Sequence, residues 1–395
     1  MNSISSKISL YIHIPFCKKK CNYCDFYSEC TGFSRIDILI DNIIKELKNK
    51  LISFGNPQII TVFIGGGTPS ILNKDQLNKL LSVVDLLTPN KLEFTIESNP
   101  ESISADFLEI IEKHNVNRLS IGVQSFDKKL LETIGRNCTV EDVYNALNLV
   151  KDKWKYQFNI DLISSLPNQT QDLVVSDINK AIEYNPDHIS FYSLIVEEDT
   201  PLESQINSGS IIELDEDLSI NIWQTGRDFL RANGYIDYEV SNFTKKNPCL
   251  HNINYWELKP YLGIGPGAVS TCINSDNKII RISNVKSIDK YILNNSENSA
   301  EETTVLSNSD FLGDYIMMGF RLRKGINRSR FKSIFNKEIL ELIPGLNSFI
   351  NDGLIESDNE FIKLTDYGYN IMNSVIVNIL ELIDNTFIEN VNWHY

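Results

Sequence analysis

No run in this 395-residue chain approaches the roughly 20 apolar residues that a bilayer-spanning helix needs. The N-terminus, MNSISSKISLYIHIPF, has no long apolar stretch before what reads as core strand, so neither a membrane span nor a leader is expected. Excess positive charge is missing too. With 37 Lys and Arg against 52 Asp and Glu the formal charge is −15, which argues against general nucleic-acid binding, because phosphate contacts need a basic surface. The seven cysteines are an odd number, which in a chain this long argues against a disulfide-stapled secreted protein. The expectation is a soluble, cytoplasmic protein. Its 42% hydrophobic content suffices for a large core and two domains.

Short β-branched or aromatic runs recur at Leu10–Pro15, Ile59–Ile64, Lys91–Glu97, Arg118–Gln124, Phe158–Ile163 and His188–Val196. Between them, helical periodicity runs through Asp37–Leu51, Lys74–Leu87, Ala105–Lys113, Val140–Lys151, Asp172–Tyr184 and Leu218–Asn233. Strands alternating with helices predict an α/β fold with a parallel sheet. Six such units suggest a partial, open (β/α)6 barrel over residues 1–300; a doubly wound open sheet is the alternative, since periodicity does not separate the two. Residues 301–395 read as a second domain of helices with a two-stranded wing at Asp352–Gly368, similar to a winged helix. Its 8 Lys and Arg against 14 Asp and Glu favour a docking or lid role over DNA reading.

Cys17, Cys21 and Cys24, in the run HIPFCKKKCNYCDF, have the spacing C-x3-C-x2-C on a loop that follows the first strand. Three thiolates are one too few for a closed zinc site or a saturated four-iron cluster; a cube held by three leaves one iron open. Spacing alone keeps zinc in play, with Cys30 as a fourth ligand. Further motifs fall where the later strands end. Gly65-Gly66-Gly67-Thr68-Pro69 follows the second strand, and such a turn lets backbone N–H groups approach a ligand. Glu97-Ser98-Asn99-Pro100 ends the third strand, Gly122-Val123-Gln124-Ser125-Phe126 the fourth and Asp161-Leu162-Ile163 the fifth, with Gly135-Arg136 after the fourth. Each is ordinary alone. Together they would line a barrel mouth that can hold a zwitterionic nucleoside.

These motifs, with DLIxxLPxQT at Asp161–Thr170, HISxYxL at His188–Leu194 and YLGIGPGA at Tyr261–Ala268, resemble the radical S-adenosylmethionine (SAM) proteins of the oxygen-independent coproporphyrinogen III oxidase group. The resemblance covers roughly residues 10 to 370. It implies that Cys17, Cys21 and Cys24 hold a [4Fe–4S] cluster. It also implies that Tyr11, Tyr23, Gly66, Gly67, Thr68, Glu97, Gln124, Arg136, Asp161 and Ser193 line the SAM site, with Val269 as a weaker candidate. Arg136 would pair the methionine carboxylate. Cys30, Cys138 and Cys272 are expected to be unliganded.

The group has two branches: oxidases that decarboxylate two propionates of coproporphyrinogen III, and heme chaperones of the HemW type. Oxidases carry a fourth cysteine two residues after the third, where this chain has Phe26. They also carry a long N-terminal extension, whereas this chain has 16 residues before Cys17. Finally, His251-Asn252-Ile253-Asn254-Tyr255-Trp256 matches the HNxxYW motif of the chaperone branch. The resemblance therefore implies a heme chaperone with an intact cluster and SAM site, and oxidase activity is not expected. His251 would meet heme iron, with Cys249 as a rival or additional ligand, and Tyr255 and Trp256 beside the macrocycle. Heme would pass to acceptor hemoproteins, respiratory ones included, and the cluster would stabilise a dimer or regulate release.

Overall fold

The structure, a computed structural model, describes residues 7–274, 276, 278–294, 300–383, 388 and 391–393. In chain order the strands are β1 (Lys7–Ile14), β2 (Gln58–Gly66), β3 (Glu93–Ser98), β4 (Arg118–Gln124), β5 (Gln157–Ser164), β6 (His188–Ser193), β7 (Ile236–Asp237) and β8 (Asn242–Thr244). They continue with β9 (Tyr261–Ile264), β10 (Val269–Ile273), β11 (Ile279–Asn284), β12 (Ala300–Val305), β13 (Ile326–Asn327), β14 (Ile355–Ser357) and β15 (Phe361–Leu364). Twelve of them form one open sheet in the order β12-β11-β10-β9-β1-β2-β3-β4-β5-β6-β8-β7. From β9 to β6 the pairs are parallel; both flanks are antiparallel.

All six expected strands are present, though β3 starts at Glu93 rather than Lys91 and β6 stops at Ser193. The sheet is longer than expected because β9 joins the parallel set beside β1. Helices Lys74–Leu87 and Ala105–Lys113 have the expected bounds, and side chains set their starts. Asn73 and Gln76 form a reciprocal capping box, and Ser104 accepts the Phe107 N–H.

The parallel strands alternate in character. Leu10, Ile12 and Ile14, then Val62 and Ile64, Phe94 and Ile96, Leu119, Ile121 and Val123, and Ile160 and Leu162 belong to one buried cluster with the flanking helices. Most of their neighbours along each strand are polar, Phe63 of β2 being apolar: Ser9, Tyr11 and His13, Thr61, Thr95 and Glu97, Arg118 and Ser120, Asn159 and Asp161, His188 and Ser190. A parallel sheet covered by apolar layers on both faces reads as unbroken hydrophobic runs. Here the period of two leaves a polar face, and that face carries the site.

A second buried cluster, built mostly from residues beyond Leu306, packs Phe311, Tyr315, Phe331, Phe335 and Trp393 together. The expected two-stranded wing is a three-stranded sheet in the order β13-β15-β14, because Ile326 and Asn327 pair with Ile362 and Phe361. Two residues are too short a run to show periodicity. Among the described residues no helix is long and apolar enough to cross a membrane.

Candidate functional site

The cysteine loop leaves β1 and lies against the glycine turn at the end of β2. The Gly67 N–H donates to Ile14 O at 2.9 Å and the Thr68 N–H to Phe16 O at 2.8 Å. This contact requires glycine twice. A Cβ on Gly67 would stand 2.6 Å from Phe16 O, and one on Gly66, whose φ is +108°, 2.4 Å from the His13 ring. The far side of the loop is tied to the Gly135-Arg136 turn: the Asn22 N–H donates to Ile134 O at 2.9 Å. A Cβ on Gly135 would meet the Asn22 side chain at 2.5 Å.

A hydrogen-bonded chain links two of the thiols. Thr68 Oγ1 donates to Cys17 Sγ at 3.5 Å, and Asn99 Nδ2 donates to Thr68 Oγ1 at 3.0 Å. Arg136 Nη2 donates to Asn99 Oδ1 at 3.1 Å and its Nη1 to Cys21 Sγ at 3.4 Å. Burial pushes the Cys17 thiol up and the Cys24 thiol up to about 11. Among the described residues, no three His, Cys, Asp or Glu side chains are gathered tightly enough to hold an ion as they stand. The donor set nevertheless fits an iron–sulfur cluster: three thiols on one loop, with Thr68 and Arg136 donating to sulfur. Arg136 Nε is buried with no acceptor among the described residues, a donor left over for a carboxylate.

Of the remaining residues expected around SAM, Tyr11, Glu97 and Asp161 stand on the polar face, while Tyr23, Gln124 and Ser193 lie around it. Glu97 Oε2 accepts the Gly66 N–H at 3.1 Å. Burial, then the charge of Asp161, pushes the Glu97 carboxyl up to about 7. Asp161 accepts from Asn159 Nδ2 at 2.6 Å and from Ser120 Oγ at 3.3 Å. Tyr11 donates to His13 Nδ1 at 2.9 Å, and His13 Nε2 reaches Tyr27 O at 2.9 Å. Tyr23 packs on Leu130, Ile134, Ile163 and Leu166. Gln124 is buried with φ +72°, at an irregularity in the β4–β5 register. Ser193 is exposed on the rim, with its Oγ 3.4 Å from Ser165 Oγ.

Asn99, His13 and Asp177 were not among the expected site residues. Asn99 stands inside the ExNP motif but had no role assigned to it. His13 shares a strand face with Tyr11 by simple alternation. Asp177 had no local signal. It reaches from helix Gln171–Glu183 to accept Ser125 Oγ at 2.6 Å and the Phe126 N–H at 2.8 Å, holding the turn after Gln124.

The HNxxYW residues lie at the other ends of the same strands. Helix Leu250–Trp256 begins on Glu93, the first residue of β3, which accepts the Leu250 N–H at 2.8 Å, the His251 N–H at 2.9 Å and Cys249 Sγ at 3.3 Å. His251 is only 1% exposed. Its ring lies 5.2 Å from Phe63 and 4.7 Å from Tyr255, and Nδ1 is 2.9 Å from Thr61 Oγ1. Thr61 itself donates to Ser9 at 2.8 Å, so His251 Nδ1 is the donor and Nε2 carries the lone pair. That Nε2 is buried without a partner among the described residues. Burial and the nearby Arg118 charge pull His251 down to about 3, and burial pushes Cys249 up to about 12. The sequence places these residues in one motif with heme; the structure encloses His251 and Cys249 and leaves Tyr255 and Trp256 half-buried.

A mostly parallel open sheet, with a three-cysteine loop and a glycine turn at the C-terminal ends of its strands, defines a radical SAM protein. The Radical SAM superfamily model matches residues 11–181, and the HemN C-terminal domain model matches residues 306–370. The heme chaperone HemW of Lactococcus lactis is 34% identical over 94% of this chain and 97% of its own length. HemW of Escherichia coli is 32% identical over 93% of this chain and 97% of its own. The chain belongs to this HemW family. A solved structure of coproporphyrinogen III oxidase (HemN) from Escherichia coli superposes with a TM-score of 0.80 at 23% identity, covering 96% of this chain and 90% of that one, a likeness of fold.

Proposed function

We propose that this protein is a cytoplasmic heme carrier that binds heme beside helix Leu250–Trp256 and passes it to acceptor hemoproteins, respiratory ones among them. What carries the reading is the separation of two sites on one polar face. The cysteines and SAM-type groups occupy the C-terminal strand ends, while the HNxxYW helix occupies the opposite ends. One chain can thus hold a resident cofactor and a cargo at once. The buried lone pair of His251 Nε2 supports iron contact, and its 1% exposure means that the helix must shift before iron arrives. Relatives named heme chaperones over nearly the full length support the same reading.

In this reading Cys17, Cys21 and Cys24 hold a [4Fe–4S] cluster, Arg136 and Glu97 orient SAM, and Gln124, Asp161 and Ser193 face its nucleoside. When bound, such a cluster supplies the electron for reductive SAM cleavage. Phe26, 71% exposed, stands where the oxidase branch has its fourth cysteine, which favours the carrier over the oxidase. The deciding experiment is an anaerobic hemin titration of the reconstituted protein, followed by transfer to an apo-hemoprotein. Saturation at one heme per chain and transfer are expected. No saturable binding, or SAM-dependent loss of two carboxyl groups from coproporphyrinogen III, would overturn the reading. Substituting Cys17, Cys21 and Cys24 by Ala is expected to change heme release or oligomeric state.

A further inference from the structure

Helix Leu250–Trp256 ends at a cleft of about 390 Å³ between itself and the C-terminal helices and wing, a size typical of ligand pockets. Its walls include Trp256, Tyr315, Leu322, Ile326 and Phe361. Its charge is the reverse of the chain's. In a protein of net −15, three cations crowd one carboxylate here. Lys259 Nζ lies 2.7 Å, Lys324 Nζ 2.5 Å and Arg330 Nη1 3.4 Å from Glu257, the one acidic residue among the described residues of the cleft wall. The Lys259, Lys324 and Arg330 side chains are 26%, 48% and 23% exposed, so their heads can still be reached.

The lysine donors are not used up. Lys324 Nζ meets Glu257, Lys259 Nζ meets Glu257 and Asn254 Oδ1, and an ammonium has three N–H groups; Arg330, which also donates to Glu257 O, adds its charge. Trp256, on the same wall, has an indole N–H buried with no acceptor among the described residues, and the Arg321 guanidinium stands 5.7 Å from its ring. Apolar, aromatic walls with a surplus of fixed cations suit a flat apolar molecule that carries carboxylates along one edge.

We propose that this cleft is the propionate site of the heme cargo: Lys259, Lys324 and Arg330 bind the two carboxylates, and Trp256 and Tyr315 contact the macrocycle edge. This rests on the heme-carrier reading above and deepens it. The cleft also joins the sheet's helix to the C-terminal unit, so an occupied cleft ties the two together.

The test compares hemin with hemin dimethyl ester, which keeps the iron and the ring but lacks the two negative charges. Both are titrated anaerobically into the full-length reconstituted protein, wild type and Lys324→Met/Arg330→Met, with thermal melts checking that the variant folds. Wild type is expected to prefer hemin on the order of tenfold or more, the worth of a charge-assisted hydrogen bond or two. The double variant is expected to lose that preference while still binding the ester like wild type. Equal affinity of wild type for hemin and ester overturns the cleft assignment and leaves the heme-carrier reading standing. If the variant fails to fold, the wild-type comparison alone decides. Absence of saturable binding by either compound overturns both.

Discussion

Glu97 Oε2 accepts the backbone N–H of Gly66 at 3.1 Å, which ties the end of β3 to the glycine turn of β2. The same carboxyl is raised from 4.5 to about 7 by burial and by the charge of Asp161. A raised carboxyl favours the folded state while protonated. Its contribution is fully present below about pH 4.5 and is lost as the pH climbs through about 7. Glu97→Gln keeps an acceptor for Gly66 and removes the charge. It is expected to match wild type near the acid end of that window and to be more stable above it, by about 1–2 kcal/mol after solvent screening. Thermal melts across the window check this; equal melting temperatures at high pH would sink it.

Gly66→Ala is expected to be destabilised by about 2 kcal/mol or more, combining a left-handed φ with a steric clash. The added methyl would lie 2.4 Å from the His13 ring. Because His13 bridges Tyr11 and Tyr27 O, the displacement should also weaken SAM binding. Denaturant titration and equilibrium dialysis with SAM measure the two effects; a variant with wild-type affinity would show that the turn does not touch SAM.

Asp177→Ala removes the acceptor of Ser125 Oγ and of the Phe126 N–H. Leaving buried donors unsatisfied costs about 2–4 kcal/mol. The turn carrying Gln124 is expected to loosen before the rest of the sheet, which hydrogen exchange of residues 122–127 would register. Uniform protection in variant and wild type would mean that the turn holds itself. The Asp177 carboxyl sits at about 6, raised by burial, so its share of stability is lost as the pH rises through that value.

Asn99→Ala breaks the hydrogen-bonded chain between Cys17 and Cys21 at its centre, removing the donor to Thr68 Oγ1 and one of the two acceptors of Arg136 Nη2, which keeps the Gly122 carbonyl. The expected result is a cluster that assembles with the same iron content but is lost faster in air, because the groups donating to sulfur are no longer held. Iron content and the decay of visible absorbance read this directly. Unchanged decay would show that Asn99 only shapes the loop.

Strand and helix identity was legible along the chain because periods of two and 3.6 are local properties. Lys74–Leu87 and Ala105–Lys113 announce themselves through their caps as much as through their apolar faces. The cysteine spacing, the glycine turn and the acidic and amide groups at strand ends were equally local, so the contents of the site could be named from the sequence. Their connections could not. Asn99 meets Arg136 across 37 residues, and Asp177 meets Ser125 across 52. The pairing of β9 with β1 depends on an edge that exists only in the folded sheet. The enclosure of His251 belongs to the same class. A motif states which imidazole is present, but Thr61, Phe63 and Glu93 come from two other strands and bury it. Chemical identity was therefore determined by the sequence alone, while access, polarity and partnership were decided by tertiary packing, since each depends on surfaces that distant segments bring together.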